Sequence, residues 1–106
     1  MAVTPELHRN YRVAFLRYLP RREEAPLRAA YEIGRSAVVE GIPILDLAEL
    51  HHQVFLEVIQ NTPEADLVGV TTGASEFFLE VLATYDMTHR SLLDQQRPSE
   101  PGTESP

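Results

Sequence analysis

The sequence predicts an all-α fold, a four-helix bundle, and three observations carry that expectation. Apolar residues recur at three- and four-residue spacing through four separate stretches, the period that lays one stripe along a helix. Pro20, Gly41, Pro43 and Pro63 fall between those stretches, where helices start and stop. No stretch alternates with the two-residue period of a strand.

The first helix is expected over 5–19, where Leu7, Tyr11, Ala14, Phe15 and Tyr18 form the stripe. Pro20 is expected to end it, because proline disfavours helical geometry in the residue before it. The second begins near Glu23-Glu24-Ala25-Pro26: acidic residues suit the positive end of a helix dipole, and proline is tolerated in the first turn. Its stripe is Leu27, Ala30, Tyr31, Gly34 and Val38, with Gly41 as the stop. The third covers 44–60, with Leu47, Leu50, His51, Val54, Phe55 and Val58 facing inward. Thr62 is expected to cap the fourth helix and Pro63 to open it. That helix runs over 63–93, on Val70, Ala74, Phe77, Phe78, Val81, Leu82, Tyr85 and Leu92. Gly69 and Gly73 weaken its first part, each by about 1 kcal/mol relative to alanine, and mark the place for a kink.

Two regions follow: a helical domain over 1–93, and a tail over 94–106 with three of the eight prolines and no aliphatic residue. Such a tail cannot bury enough apolar surface to offset its ordering entropy and is expected to be disordered. A helical core of this size is marginal alone, which is the physical motive for a homodimer. The absence of cysteine excludes disulfides and thiolate metal sites. No secretory signal opens the sequence, and no apolar run approaches the roughly 18 residues of a membrane span. A cytoplasmic protein off the membrane is therefore expected. The net charge is −7, although six of the nine arginines fall within 9–28. That balance speaks against nucleic acid as a partner, and Arg9, Arg12 and Arg17 lie mostly opposite the apolar stripe of their helix.

The search for chemistry returns little. Glu49-x-x-His52 has the spacing of a di-iron bundle ligand pair, but it occurs once and points away from the inward face, so no metal is expected. His51 sits inside the stripe and reads as a neutral core or interface histidine bonded to a carbonyl or a tyrosine hydroxyl. No nucleophile motif or phosphate-cradling loop is present. An enzyme is not expected, nor a cofactor. Glu80 falls beside the core stripe, in a solvated or partner-facing place. Leu79 and Ala83 lie opposite the core on the fourth helix. Arg28, Glu32 and Arg35 form a charged strip on the second, with Val39 below it. The strip reads either as an intrahelical ladder or as the polar rim of an interface.

These positions carry a resemblance. Tyr11-x6-Tyr18-Leu19, Leu27-x2-Ala30, Arg35, Gly41-Ile42-Pro43 and Leu50-His51, followed by Phe78-Leu79-Glu80-Val81, Tyr85 and Met87, resemble the amino-terminal regulatory domain of RsbU-type phosphatases. The resemblance covers about 6–90. It implies a small helical dimer that receives a switch kinase of the RsbT type. Kinase binding would activate a carboxy-terminal metal-dependent serine phosphatase and, through an anti-anti-sigma factor, release a stress sigma factor. It places the kinase-contacting surface on the second and last helices, at Glu24, Leu27, Arg28, Leu79 and Ala83. Arginine at 28 would suit an acidic partner surface better than an apolar contact. The paired aspartates of the phosphatase are absent, so the chain is read as either a fragment or a stand-alone adaptor. The competing readings are a purely structural homodimerisation module and, remotely, a helical-bundle metal protein.

Overall fold

The computed structural model describes residues 3–96, and within them four α-helices follow one another: α1 (Pro5–Arg21), α2 (Glu24–Val39), α3 (Ile44–Gln60) and α4 (Leu67–Gln96). A short 3-10 turn, Glu64–Asp66, leads into α4. There is no strand among the described residues, and the architecture is the four-helix bundle the periodicity predicts.

Thr4 opens α1, its hydroxyl accepting from the Leu7 amide at 3.0 Å, which satisfies one donor that the helix itself leaves unpaired. Pro20 does not end the helix as expected. Its missing N–H removes only one bond in the final turn, and the chain leaves the helix two residues later, at Arg22, with φ at 53°. The Arg22 amide bonds back to the Tyr18 carbonyl and closes the turn. Gly41 does stop α2, in the left-handed conformation with φ at 76° that glycine adopts without a Cβ penalty. Thr62 does not cap the last helix. Its hydroxyl donates back to the Val58 carbonyl of α3, and Pro63 takes the extended cap position before the 3-10 turn. α4 is unbroken through Gly69 and Gly73; Gly73 and Ala74 are buried against the bundle, whereas Gly69 is exposed. The helix also runs on through Asp94 and Gln95 to Gln96, into the segment expected as the tail. The remaining tail, 97–106, lies outside the described residues.

At 30 residues, α4 is about 45 Å long and touches each of the other three helices. Its most extensive packing is against α2, which runs in the same direction: Gly73 lies beside Arg22, just before α2, and Thr84 beside Gly34 further along it. Gly34 makes that apposition possible. A Cβ there would collide with the Thr84 hydroxyl and the Val81 carbonyl, and would stand 3.1 Å from the Tyr85 amide. Tyr85 pins the lower part of α4 by donating from its hydroxyl to the Ile42 carbonyl at 2.7 Å.

The core is aromatic at its centre and aliphatic around it. Tyr11, Phe15 and Phe77 are fully enclosed and meet edge to face or tilted, ring centroids 5.3–6.4 Å apart, a geometry that places ring edges against ring faces. Leu47, Leu50, Val54 and Val81 close the space around them. On α2 the inward face is Ala30, Ile33, Gly34, Ala37 and Val38. Tyr31 was expected in that stripe but is 41% exposed. The inward face is set by Ala30, Ile33, Gly34, Ala37 and Val38, and Tyr31 falls at its edge, on the side of the exposed Glu24, Arg28 and Glu32.

The length and mean hydropathy of residues 64–95 also meet those of a membrane span, contrary to the sequence expectation. Ala74, Phe77 and Val81 in this stretch are core residues, whereas Val68 and Leu79 are exposed.

Candidate functional site: the cleft between α2 and α4

The parallel run of α2 and α4 leaves an open cleft above the Gly34 crossing. It is lined by Glu24, Leu27, Arg28, Tyr31, Glu32 and Glu80, with a volume of about 430 Å³. The positions follow from helix geometry. Glu24, Leu27, Arg28 and Tyr31 recur at three- and four-residue spacing along one edge of α2, and Glu80 reaches the cleft from α4 one residue before the buried Val81. Leu27 is half-buried and gives the cleft its apolar floor, with the exposed ring of Tyr31 beside it. Glu80 is partly buried, whereas Glu24, Arg28 and Glu32 are exposed.

Three of the five residues expected at the partner surface, Glu24, Leu27 and Arg28, therefore converge on one cleft. Leu79 and Ala83 do not line it. Both are exposed on α4, Leu79 at 63%, outside the cleft. Glu80, Ala83 and Met87 fall within about 60° of arc on α4, and Leu79 lies about 40° further round. Tyr31 and Met87 were missed as surface residues by periodicity alone. Tyr31 was drawn into the core stripe, and Met87 carries no polar signal to mark it, although it is 62% exposed.

The charged strip on α2 does not form the intrahelical ladder. Among the described residues the ion pairs are Arg12–Glu57, Arg21–Glu23, Arg22–Glu76 and Arg90–Asp86, and none involves Glu24, Arg28, Glu32, Arg35 or Glu80. The cleft thus presents three carboxylates and one guanidinium without internal pairing.

Elsewhere the polar groups serve the fold. The Tyr11 hydroxyl lies 2.6 Å from His51 Nδ1, and the imidazole stacks on Phe78. Burial, followed by the neighbouring His52, lowers the His51 pKa to about 4, so near neutrality the ring is uncharged and its Nδ1 shares a hydrogen bond with the phenol. Burial likewise holds the Tyr11 phenol protonated. Tyr18 donates to Glu76 Oε1 at 2.8 Å, and burial and then that carboxylate raise its pKa. Glu49 and His52 are exposed on α3, and among the described residues no group of three or more His, Asp or Glu side chains is placed to hold a metal ion.

Comparison with known proteins agrees with this architecture. The family model described as "Phosphoserine phosphatase RsbU, N-terminal domain" matches residues 9–88. The matched region spans α1 to most of α4 and includes every residue of the cleft. No curated protein and no solved structure matches the chain. A four-helix domain matched over three quarters of its length belongs to the RsbU amino-terminal domain family, the regulatory and not the catalytic part of those phosphatases.

Proposed function

We propose that this domain docks an RsbT-like switch kinase on the α2–α4 cleft and the adjoining face of α4, and so controls a serine phosphatase in a cytoplasmic bacterial partner-switching pathway. The observation that carries the reading is the cleft itself. Glu24, Leu27 and Arg28, which the family resemblance assigns to kinase contact, line one concave surface, and the exposed apolar residues Leu79 and Met87 lie on the helix that forms its other wall. Apolar anchors beside a polar rim are the usual anatomy of a protein interface. The regulatory role is that of the family; the kinase, the homodimer and the contact residues are our reading.

Solution mass by light scattering tests it, with and without a co-expressed RsbT-like kinase from the same genome. A dimer that gains mass with the kinase supports docking, and Leu79→Asp should abolish the gain while far-UV dichroism stays unchanged. A dimer that ignores the kinase would favour a purely structural dimerisation module. If Leu79→Asp unfolds the domain, Leu79 does not belong to the docking surface.

A further inference from the structure

The charge of the cleft says what kind of side chain it would receive. Glu24, Glu32 and Glu80 face it from two helices, and Arg28 is the only cation among the described residues that line it. The three carboxylates outnumber that guanidinium, and none of them is held in an ion pair among the described residues. The floor between them is apolar and aromatic, formed by Leu27 and Tyr31. A hydrophobic floor with an anionic rim fits a side chain that has an aliphatic stem and a charged end: the stem covers apolar surface while the head stays at the polar edge. A tyrosine ring at the wall adds a face on which a cation can rest.

We infer that the partner inserts a lysine or arginine into the α2–α4 cleft, its stem over Leu27 and Tyr31 and its head among Glu24, Glu32 and Glu80. This inference rests on the docking function proposed above and reverses the expectation, drawn from Arg28 alone, of an acidic partner surface. Arg28 then acts against the interaction, as the one like charge facing the incoming cation. Glu80 contributes most among the carboxylates, since it is partly buried and its pair with the partner loses the most water on docking. Glu24 and Glu32 are exposed and act chiefly by attraction at a distance, which raises association rates and is screened by salt.

The experiment measures affinity of the full chain for the RsbT-like kinase by titration calorimetry at about 50 and about 300 mM salt. The variants are Glu80→Gln, Glu32→Gln, Arg28→Gln and Leu79→Asp, each checked for fold by its denaturant midpoint. Glu80→Gln should weaken binding about tenfold or more, and Glu32→Gln by a few-fold that disappears at the higher salt. Arg28→Gln should bind as tightly as the parent chain or more so. If Glu80→Gln disturbs the fold, Glu32→Gln and Arg28→Gln still decide the sign, because both residues are exposed. Suppose Leu79→Asp abolishes binding while the glutamine variants at 32 and 80 bind normally and Arg28→Gln weakens it. The docking surface then stands and the cationic side chain is overturned. A wild-type chain that binds no such kinase overturns both.

Discussion

His51 lies flat against Phe78, with ring centroids 4.0 Å apart and planes 5° from parallel, while its Nδ1 takes the hydroxyl of Tyr11 at 2.6 Å. The imidazole thereby joins α3 to α4 through its face and to α1 through its edge, and its burial between them, with His52 beside it, favours the neutral ring. An unfolded histidine protonates near pH 6.5, whereas His51 in the fold does so at about 4. The stabilising contribution is therefore whole above pH 6.5 and is lost as pH falls toward 4. It amounts to at most about 3 kcal/mol. Denaturant unfolding at pH 7 and pH 4 measures it as a difference. The parent chain should lose about 1–3 kcal/mol more than His51→Gln, which can accept from Tyr11 but does not titrate in this range. Equal losses would mean that the ring titrates as it does in water.

A second prediction concerns the α2–α4 crossing. Gly34→Ala places a methyl group on the Val81 carbonyl and the Thr84 hydroxyl. The hydroxyl can rotate away from its bonds to the Glu80 and Val81 carbonyls, but the carbonyl is backbone and cannot. The helices must separate, at a cost of about 1–3 kcal/mol, although alanine is the better helix former by about 1 kcal/mol. Thermal melts should show a lowered midpoint. A raised one would mean that the crossing is loose enough to accept a side chain.

The aromatic centre gives the largest expected loss. Phe77 has no exposed surface and meets Tyr11 and Phe15 at its edges, so Phe77→Ala opens a cavity that its rigid neighbours cannot fill. The expected destabilisation is about 3–5 kcal/mol, a large part of the total for a domain of this size. Loss of near-ultraviolet dichroism at modest denaturant would report it.

The Arg12–Glu57 pair should matter little by contrast. It is well formed at 3.0 Å, yet both side chains are about half exposed, and pairs of that kind contribute less than about 1 kcal/mol. Arg12→Ala should leave the unfolding midpoint almost unchanged in high salt.

How much of this was legible in the sequence depends on what each residue had to compete with. Helices α1 and α3 follow from stripes strong enough to read directly: Tyr11, Ala14, Phe15 and Tyr18 are all buried, as are Leu47, Leu50 and Val54. His51 was readable as a stripe residue bonded to a carbonyl or a tyrosine hydroxyl, and its partner is Tyr11, 40 positions away. Tyr31 was misread, because the inward face of α2 is set by Ala30, Ile33, Gly34, Ala37 and Val38 and leaves it at the edge. Pro20 and Thr62 misled for another reason. Each carries a local preference at a helix end, and a neighbouring bond overrode it, from the Arg22 amide to Tyr18 in one case and from Thr62 to Val58 in the other. The cleft was half legible. Its α2 edge was visible as Glu24, Leu27 and Arg28, but the meeting of that edge with Glu80 exists only in three dimensions.

The links between helices are short, with residues 22–23 joining α1 to α2 and 40–43 joining α2 to α3. Neighbouring helices can therefore find each other at little loop-closure entropy, and such chains cross their folding barrier quickly. The α2–α4 contact is different, because the whole of α3 lies between its two partners. Its tightest point, Gly34 against Thr84, can lock only after α3 has turned the chain back. The surface offered to a partner is thus bounded by a contact that closes over the whole of α3, and that surface is complete only once α3 and α4 are in place.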